Sequence, residues 1–142
     1  MNPDLHFEMV DDVAVVRITR AAKRNALNDE LILALRHTFD HLPAHTKAAV
    51  LCGSGEHFCA GLDLSELQTR DAGEGMHHSR MWHSAFERIQ FGAVPVVAAL
   101  QGAVVGGGLV DRGRGHGGRV CLRRDRNPIQ GRDGRVLKVH EL

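Results

Sequence analysis

Tyrosine is absent from this chain of 142 residues, and aromatic side chains make up only 4% of it. No apolar run approaches the roughly 18 residues of a membrane-spanning helix, so membrane residence of that kind is excluded. The opening stretch, "MNPDLHFEMVDD", is too acidic and too poor in apolar residues to read as a signal peptide. Cysteine is scarce as well. Cys52, Cys59 and Cys121 form an odd set without framework spacing, which predicts reduced thiols in a cytoplasmic protein. His57 with Cys52 and Cys59 lacks a fourth ligand at a recognised spacing, so no metal site is expected. No internal repeat is present beyond an alternation of strands and helices.

What is present divides the chain. The length suits about one domain with a real core. Residues 1–109 hold seven Arg and two Lys against thirteen acids, whereas residues 110–142 hold eight Arg and one Lys against four. The sign of the net charge therefore reverses at a single place, a composition boundary. The stretch "VPVVAALQGAVVGGGLVDRGRGHGGRVCLRRDR" straddles it, passing from a buried strand and glycine turn into arginine alternating with glycine.

Before the boundary the pattern is α/β. "LHFEMVDDVAVVRITR" predicts two strands joined at Asp11-Asp12, the second apolar enough for a sheet covered on both sides. "AAKRNAL" is a loop. Asn28 is a good N-cap, with Asp29 and Glu30 in the first turn, where the helix dipole favours acids. Leu31, Ala34, Leu35, Phe39 and Leu42 form one helical stripe, and Pro43 ends it. "KAAVLCG" is a buried strand and "SGEHFCAG" a loop; a short helix is expected from about Leu62. A longer helix is expected over residues 75–91, with Met81, Trp82, Ala85, Phe86 and Ile89 as its core face. His77, His78 and His83 on that helix read as a solvated surface. "VPVVAAL" is a further strand, with Pro95 near its start, where a missing N–H is tolerated. The order β-β-α-β-α-α-β implies parallel strands joined by helical crossovers.

After the boundary the pattern stops. A helix would naturally follow the glycine turn, but Gly113, Gly115, Gly117 and Gly118 would sit in its first turns, each costing roughly 1 kcal/mol relative to Ala. Disordered or poorly packed coil is expected over residues 110–142.

Two segments can carry chemistry: "HFCAGLDLSEL" (57–67) and "QGAVVGGGL" (101–109). Each places a glycine-containing turn just after a buried strand, so main-chain N–H groups can point outward without a Cβ in the way. Brought together by neighbouring strands, two such turns could offer two donors to one oxygen. That is an oxyanion hole, each donor worth a few kcal/mol of transition-state stabilisation. Taken alone, three glycines in a row also read as a tight turn or a close packing point, and Lys23-Arg24 as a solvated loop pair. Asp63 reads as a helix cap or a structural hydrogen-bond acceptor, and Cys59 as a small buried residue.

The segments "VAVVRITRAAKRNALND", "KAAVLCGSGEHFCAGLDLSEL" and "VPVVAALQGAVVGGGL", in this order, resemble the enoyl-CoA hydratase/isomerase (crotonase) family over residues 5–109. The resemblance implies the crotonase-like spiral of β-β-α units, here truncated, and an acyl-CoA thioester as substrate, with no separate cofactor. It implies that the N–H groups of Leu62 and Gly107 hold the thioester oxygen and stabilise its enolate. It also implies that Lys23, Arg24 and Ala26 of "KRNAL", together with Ala60, lie along the CoA; cationic side chains suit its phosphates. The family assembles as trimers, but the C-terminal part that forms their contacts is missing here.

The chain departs from the family at the proton carrier. Hydratases of this kind place an acid/base glutamate two residues after the third glycine; that position is Val110, which transfers no proton. The second, downstream glutamate has no counterpart. Other members place their acid/base groups elsewhere, so hydration and isomerisation both stay open. Residues 110–142 are then expected to be foreign to the fold, as an out-of-frame reading of a GC-rich gene would produce. Two other readings stand beside an enzyme of acyl-CoA metabolism. One is a non-catalytic remnant with residual or no CoA binding. The other is a nucleic-acid-binding protein acting through its basic tail; that tail has no Phe, Tyr or Trp for stacking bases and no repeated RGG unit.

Overall fold

The computed structural model describes residues 2–66, 69, 71–104 and 121–123. The chain opens with an antiparallel hairpin of β1 (Leu5–Val10) and β2 (Val13–Ile18), registered from Leu5 opposite Ile18 to Val10 opposite Val13. Its turn is the expected Asp11-Asp12, with Asp11 at φ 54°, a left-handed conformation that aspartate tolerates. α1 (Asp29–Asp40) then returns the chain to β3 (Ala48–Gly53), which pairs parallel to β2. α2 (Ala72–Phe91) returns it again to β4 (Val96–Leu100), parallel to β3. The sheet runs β1-β2-β3-β4-β5 in chain order, β5 being Cys121–Arg123. The predicted α/β class, the hairpin and the two helical crossovers are all present.

The core lies between one sheet face and the two helices. Parallel register lines up Ala14, Ala49 and Val96 in one row and Val16, Leu51 and Ala98 in the next. Leu31, Ile32, Leu35 and Phe39 of α1 and Ala85 and Ile89 of α2 join these in a single cluster. The α1 stripe is wider than predicted, because Ile32 is also fully buried. Met81 stands outside the cluster, whereas Trp82 and Phe86 pack against it. α1 begins as expected, with Asn28 accepting from the Leu31 N–H at 3.0 Å. α2 begins earlier than expected, at Ala72. Asp71 and Glu74 form a reciprocal capping box, which outweighs the two early glycines. No helix among the described residues is long and apolar enough to cross a membrane.

Three expectations need correction. No helix starts at Leu62: Leu27 forms a parallel bridge with it, holding Leu62 extended, and a single 3₁₀ turn follows at Leu64–Glu66. His78 is not a solvated surface residue. Its Nε2 lies 2.6 Å from Asp29 Oδ1, which also accepts from Trp82 Nε1 at 2.8 Å, tying α2 to the start of α1. His77 and His83 are exposed, as expected. Finally, residues 121–123 are not coil but strand β5, pairing parallel with Ala98–Leu100. The open edge of β4 offers unpaired N–H and C=O groups that even a short apolar stretch can meet. The remainder of 110–142, expected to be disordered, lies outside the described residues.

Candidate functional site

The site grows from the far ends of β2, β3 and β4, where three loops lie against one another. β2 leads into a 3₁₀ turn at Ala21–Lys23, followed by Arg24 and Asn25 at φ 52° and 56°. Two consecutive left-handed residues fold the loop back on itself, and Asn25 holds that shape from inside. It is fully buried; its Oδ1 accepts the Arg20 N–H at 3.0 Å, and its Nδ2 donates to the Ser54 carbonyl at 2.9 Å and the His57 carbonyl at 2.6 Å. The first loop is thereby fastened to the second.

The loop after β3 then runs beside the first. Ala60 N–H donates to the Arg24 carbonyl at 3.0 Å, Leu27 N–H to the Gly61 carbonyl at 2.7 Å, and Asp63 N–H to the Leu27 carbonyl at 2.8 Å. Because successive amides of an extended segment alternate in direction, Leu27 takes its bonds from Gly61 and Asp63 and leaves the Leu62 N–H on the opposite side. Among the described residues that amide donates no hydrogen bond. Gly61, at φ 91°, makes the turn that sets this direction.

The loop after β4 docks on the same segment. Phe58 N–H donates to the Gln101 carbonyl at 2.7 Å and Cys59 N–H to the Ala103 carbonyl at 3.1 Å, and Cys59 forms a parallel bridge with Val104. Ala103 N–H donates back to His57 Nδ1 at 3.0 Å, so Nδ1 is the unprotonated nitrogen of that ring. Gln101 Nε2 donates to the Gly53 and Gly55 carbonyls. Gly102 is required at its position: φ is +55°, and a Cβ would lie 2.2 Å from the Glu56 carbonyl oxygen. The two chemistry-bearing turns thus run side by side up to Val104. Gly106–Gly108, and with them the expected amide of Gly107, lie outside the described residues, as does Val110.

Of the residues expected along a CoA, Lys23 and Arg24 are exposed and Ala60 is half-buried beside them. Ala26 sits lower, 8% exposed; its carbonyl accepts from Arg20 Nη1 at 2.8 Å and its N–H bonds the Lys23 carbonyl at 3.0 Å. Lys23 Nζ reaches the Ser65 hydroxyl at 3.3 Å. Asp63 has the structural part expected of it, its Oδ1 accepting the Ser65 N–H at 3.1 Å and hydroxyl at 2.6 Å. The Ser65 hydroxyl and amide, with Arg20 beside them, outweigh burial and hold the Asp63 carboxyl down to about 2. Cys59 is buried and its Sγ accepts the Gly61 N–H at 3.3 Å; burial pushes the Cys52 thiol up.

Sequence reasoning missed Arg20 and Asn25. Arg20 Nε pairs with Asp4 Oδ2 at 2.9 Å and Nη2 with Asp63 Oδ2 at 3.0 Å. A buried asparagine in a loop has a local signal, its tolerance of left-handed φ. The Arg20 partners, 16 and 43 positions away, have none.

Comparison with known proteins places this geometry. Residues 8–110 match the family model described as Enoyl-CoA hydratase/isomerase. Among curated proteins, the chain is 35% identical over 116 residues to 4-chlorobenzoyl coenzyme A dehalogenase-1 of an Arthrobacter species, covering 76% of this chain and 42% of that protein. It is 33% identical over 99 residues to the Short-chain-enoyl-CoA hydratase of Clostridium acetobutylicum, covering 68% of this chain and 38% of that one. A solved structure from Rhodopseudomonas palustris CGA009 superposes with a TM-score of 0.73 at 51% identity, covering 75% of this chain and 41% of the other. The enoyl-CoA hydratase of Bacillus anthracis does so with a TM-score of 0.67 at 28% identity, covering 74% and 42%. The chain therefore spans about two fifths of the length of these relatives.

Proposed function

We propose that this chain, which belongs to the enoyl-CoA hydratase/isomerase family, binds acyl-CoA thioesters and polarises the thioester carbonyl between the N–H groups of Leu62 and Gly107. The observation that carries the reading is the Leu62 amide. It is turned away from Leu27 and left without an acceptor among the described residues, three residues beyond Cys59, on which the 101–104 segment docks. An N–H so fixed needs no reorganisation when an oxygen beside it gains negative charge. Gly107 stands three residues beyond Val104, the last described residue of the docked segment.

The thioester enters at the loop pair 23–26 and 60–62. Lys23 and Arg24 offer charge to the CoA phosphates, and the Ala60 carbonyl, with no donor among the described residues, is open to the adenine amino group. The printed names of the relatives share a CoA thioester and differ in the acyl part, so the CoA end is the common element. Polarisation withdraws electrons from the carbonyl and stabilises the enolate formed when a proton leaves the α-carbon. Moving that proton needs a carrier. With Val110 in the glutamate position, the chain as written polarises its ligand and turns it over weakly or not at all, in a cytoplasmic setting where its thiols stay reduced. Residues 110–142 belong to a shifted reading frame; the family match ends at residue 110.

Calorimetry with acetyl-CoA and with free CoA tests the binding, and a crotonyl-CoA hydration assay tests the turnover. Binding of acetyl-CoA with hydration at background supports the reading. Rapid hydration overturns the inactive part, and no affinity for either ligand overturns the whole. The gene's nucleotide sequence past codon 109 tests the tail: an adjacent frame spelling a helix with an acid after the glycines is expected.

A further inference from the structure

We infer that Arg20 is a positioning residue: its guanidinium clamps the two segments whose bridge aims the Leu62 amide. This rests on the proposed role of that amide. Arg20 lies between β2 and the 3₁₀ turn that follows it, and its side chain is only 13% exposed. Its Nη1 donates to the carbonyl of Ala26, the residue immediately before Leu27. Its Nη2 lies 3.0 Å from the carboxylate of Asp63, the residue immediately after Leu62, and 3.6 Å from Glu66. Its Nε pairs with Asp4, anchoring the fork to the start of β1. The bridge between Leu27 and Leu62 is therefore gripped from both sides by one planar group.

The grip has a mechanical consequence. Leu62 N–H points outward only while the Leu27 carbonyl holds Asp63 N–H and the Leu27 N–H holds the Gly61 carbonyl. Those two bonds are an isolated bridge rather than part of the sheet, with the Ala60 N–H to Arg24 carbonyl bond as the next rung. Asp63 adds stiffness from within, with Ser65 on one oxygen and Arg20 on the other. Lysine cannot replace this arginine: one ammonium cannot reach an amide carbonyl and three carboxylates in three directions at once. Arg20 thus contributes both charge, toward three carboxylates, and a fork that reaches the Ala26 carbonyl at the same time.

Two measurements on the full-length chain test the clamp, using Arg20→Lys and Asp63→Asn. The first is amide hydrogen exchange by NMR. Both variants are expected to exchange about tenfold faster or more at Leu27 and Asp63, while Val16 and Leu51 in the sheet keep their protection. Unchanged exchange at Leu27 and Asp63 overturns the clamp. Should Arg20→Lys lose sheet protection as well, Asp63→Asn decides by the same criterion, because it removes one charge and little volume. The second is the carbonyl 13C shift of bound [1-13C]acetyl-CoA. The wild type is expected to move it downfield and Arg20→Lys to lose most of that movement while still binding, which a purely stabilising residue would not do. A wild-type resonance at the free position sinks the oxyanion reading instead, and leaves the exchange data to decide the clamp.

Discussion

The two turns that meet at the site are built on different plans. The turn at 59–63 carries its own supports: Asn25 beneath it, the Leu27 bridge along it, and Arg20 with Ser65 at its end. The turn at 101–104 has one side-chain support of its own, Gln101 on the Gly53 and Gly55 carbonyls. For the rest it is held by backbone bonds to Phe58 and Cys59, by the Ala103 N–H on the His57 ring and by the close approach of Gly102 to Glu56. The first arm is thus a folded unit and the second is a guest on it. The family match stops at residue 110, six residues past Val104.

This asymmetry predicts a graded set of responses. Asn25→Ala should cost most, because it strands three half-buried backbone groups and leaves alanine at φ 56°, a loss of about 4 kcal/mol in urea unfolding. Both arms should fall together. Gly102→Ala should cost about 3 kcal/mol, since its Cβ would press on the Glu56 carbonyl. It should detach the second arm alone, visible as faster exchange at Ala103 with Leu27 and Asp63 still protected. Equal loosening of both arms in that variant would break the distinction between host and guest. Asn28→Ala removes the α1 cap and its bond to Glu66, and should lower stability by about 1 kcal/mol while sparing the site.

The smallest effect is in acid. The Asp63 carboxyl is held down to about 2 from an ordinary 3.8, so the native state binds fewer protons there than the unfolded chain. Its contribution is complete above roughly pH 4 and is lost as the pH falls through about 2. The stability difference between wild type and Asp63→Asn should therefore shrink over that window, and a difference that stays constant would remove Asp63 from the account.

How much of the molecule is legible in its sequence differs by element. The hairpin, α1 and the parallel strands can be read because each is encoded locally, by alternation, an N-cap and apolar stripes. The convergence of the two turns can be expected from strand adjacency together with the glycines. Arg20 cannot be singled out, because its four partners lie at residues 4, 26, 63 and 66 and meet only after folding. His78 misleads for the same reason: its partner Asp29 reads as a first-turn acid of α1, which it also is. Strand β5 escapes notice because three residues in an arginine-rich stretch show no periodicity, and the β4 edge that pairs with them lies more than twenty positions earlier.

The central claim is most directly tested by 1H–15N NMR of the uniformly labelled chain, titrated with acetyl-CoA and separately with free CoA. The account predicts that the Leu62 and Gly107 amide protons both move downfield with acetyl-CoA and neither moves with CoA alone. Identical responses to the two ligands, or movement of other amides with these two unchanged, would contradict it.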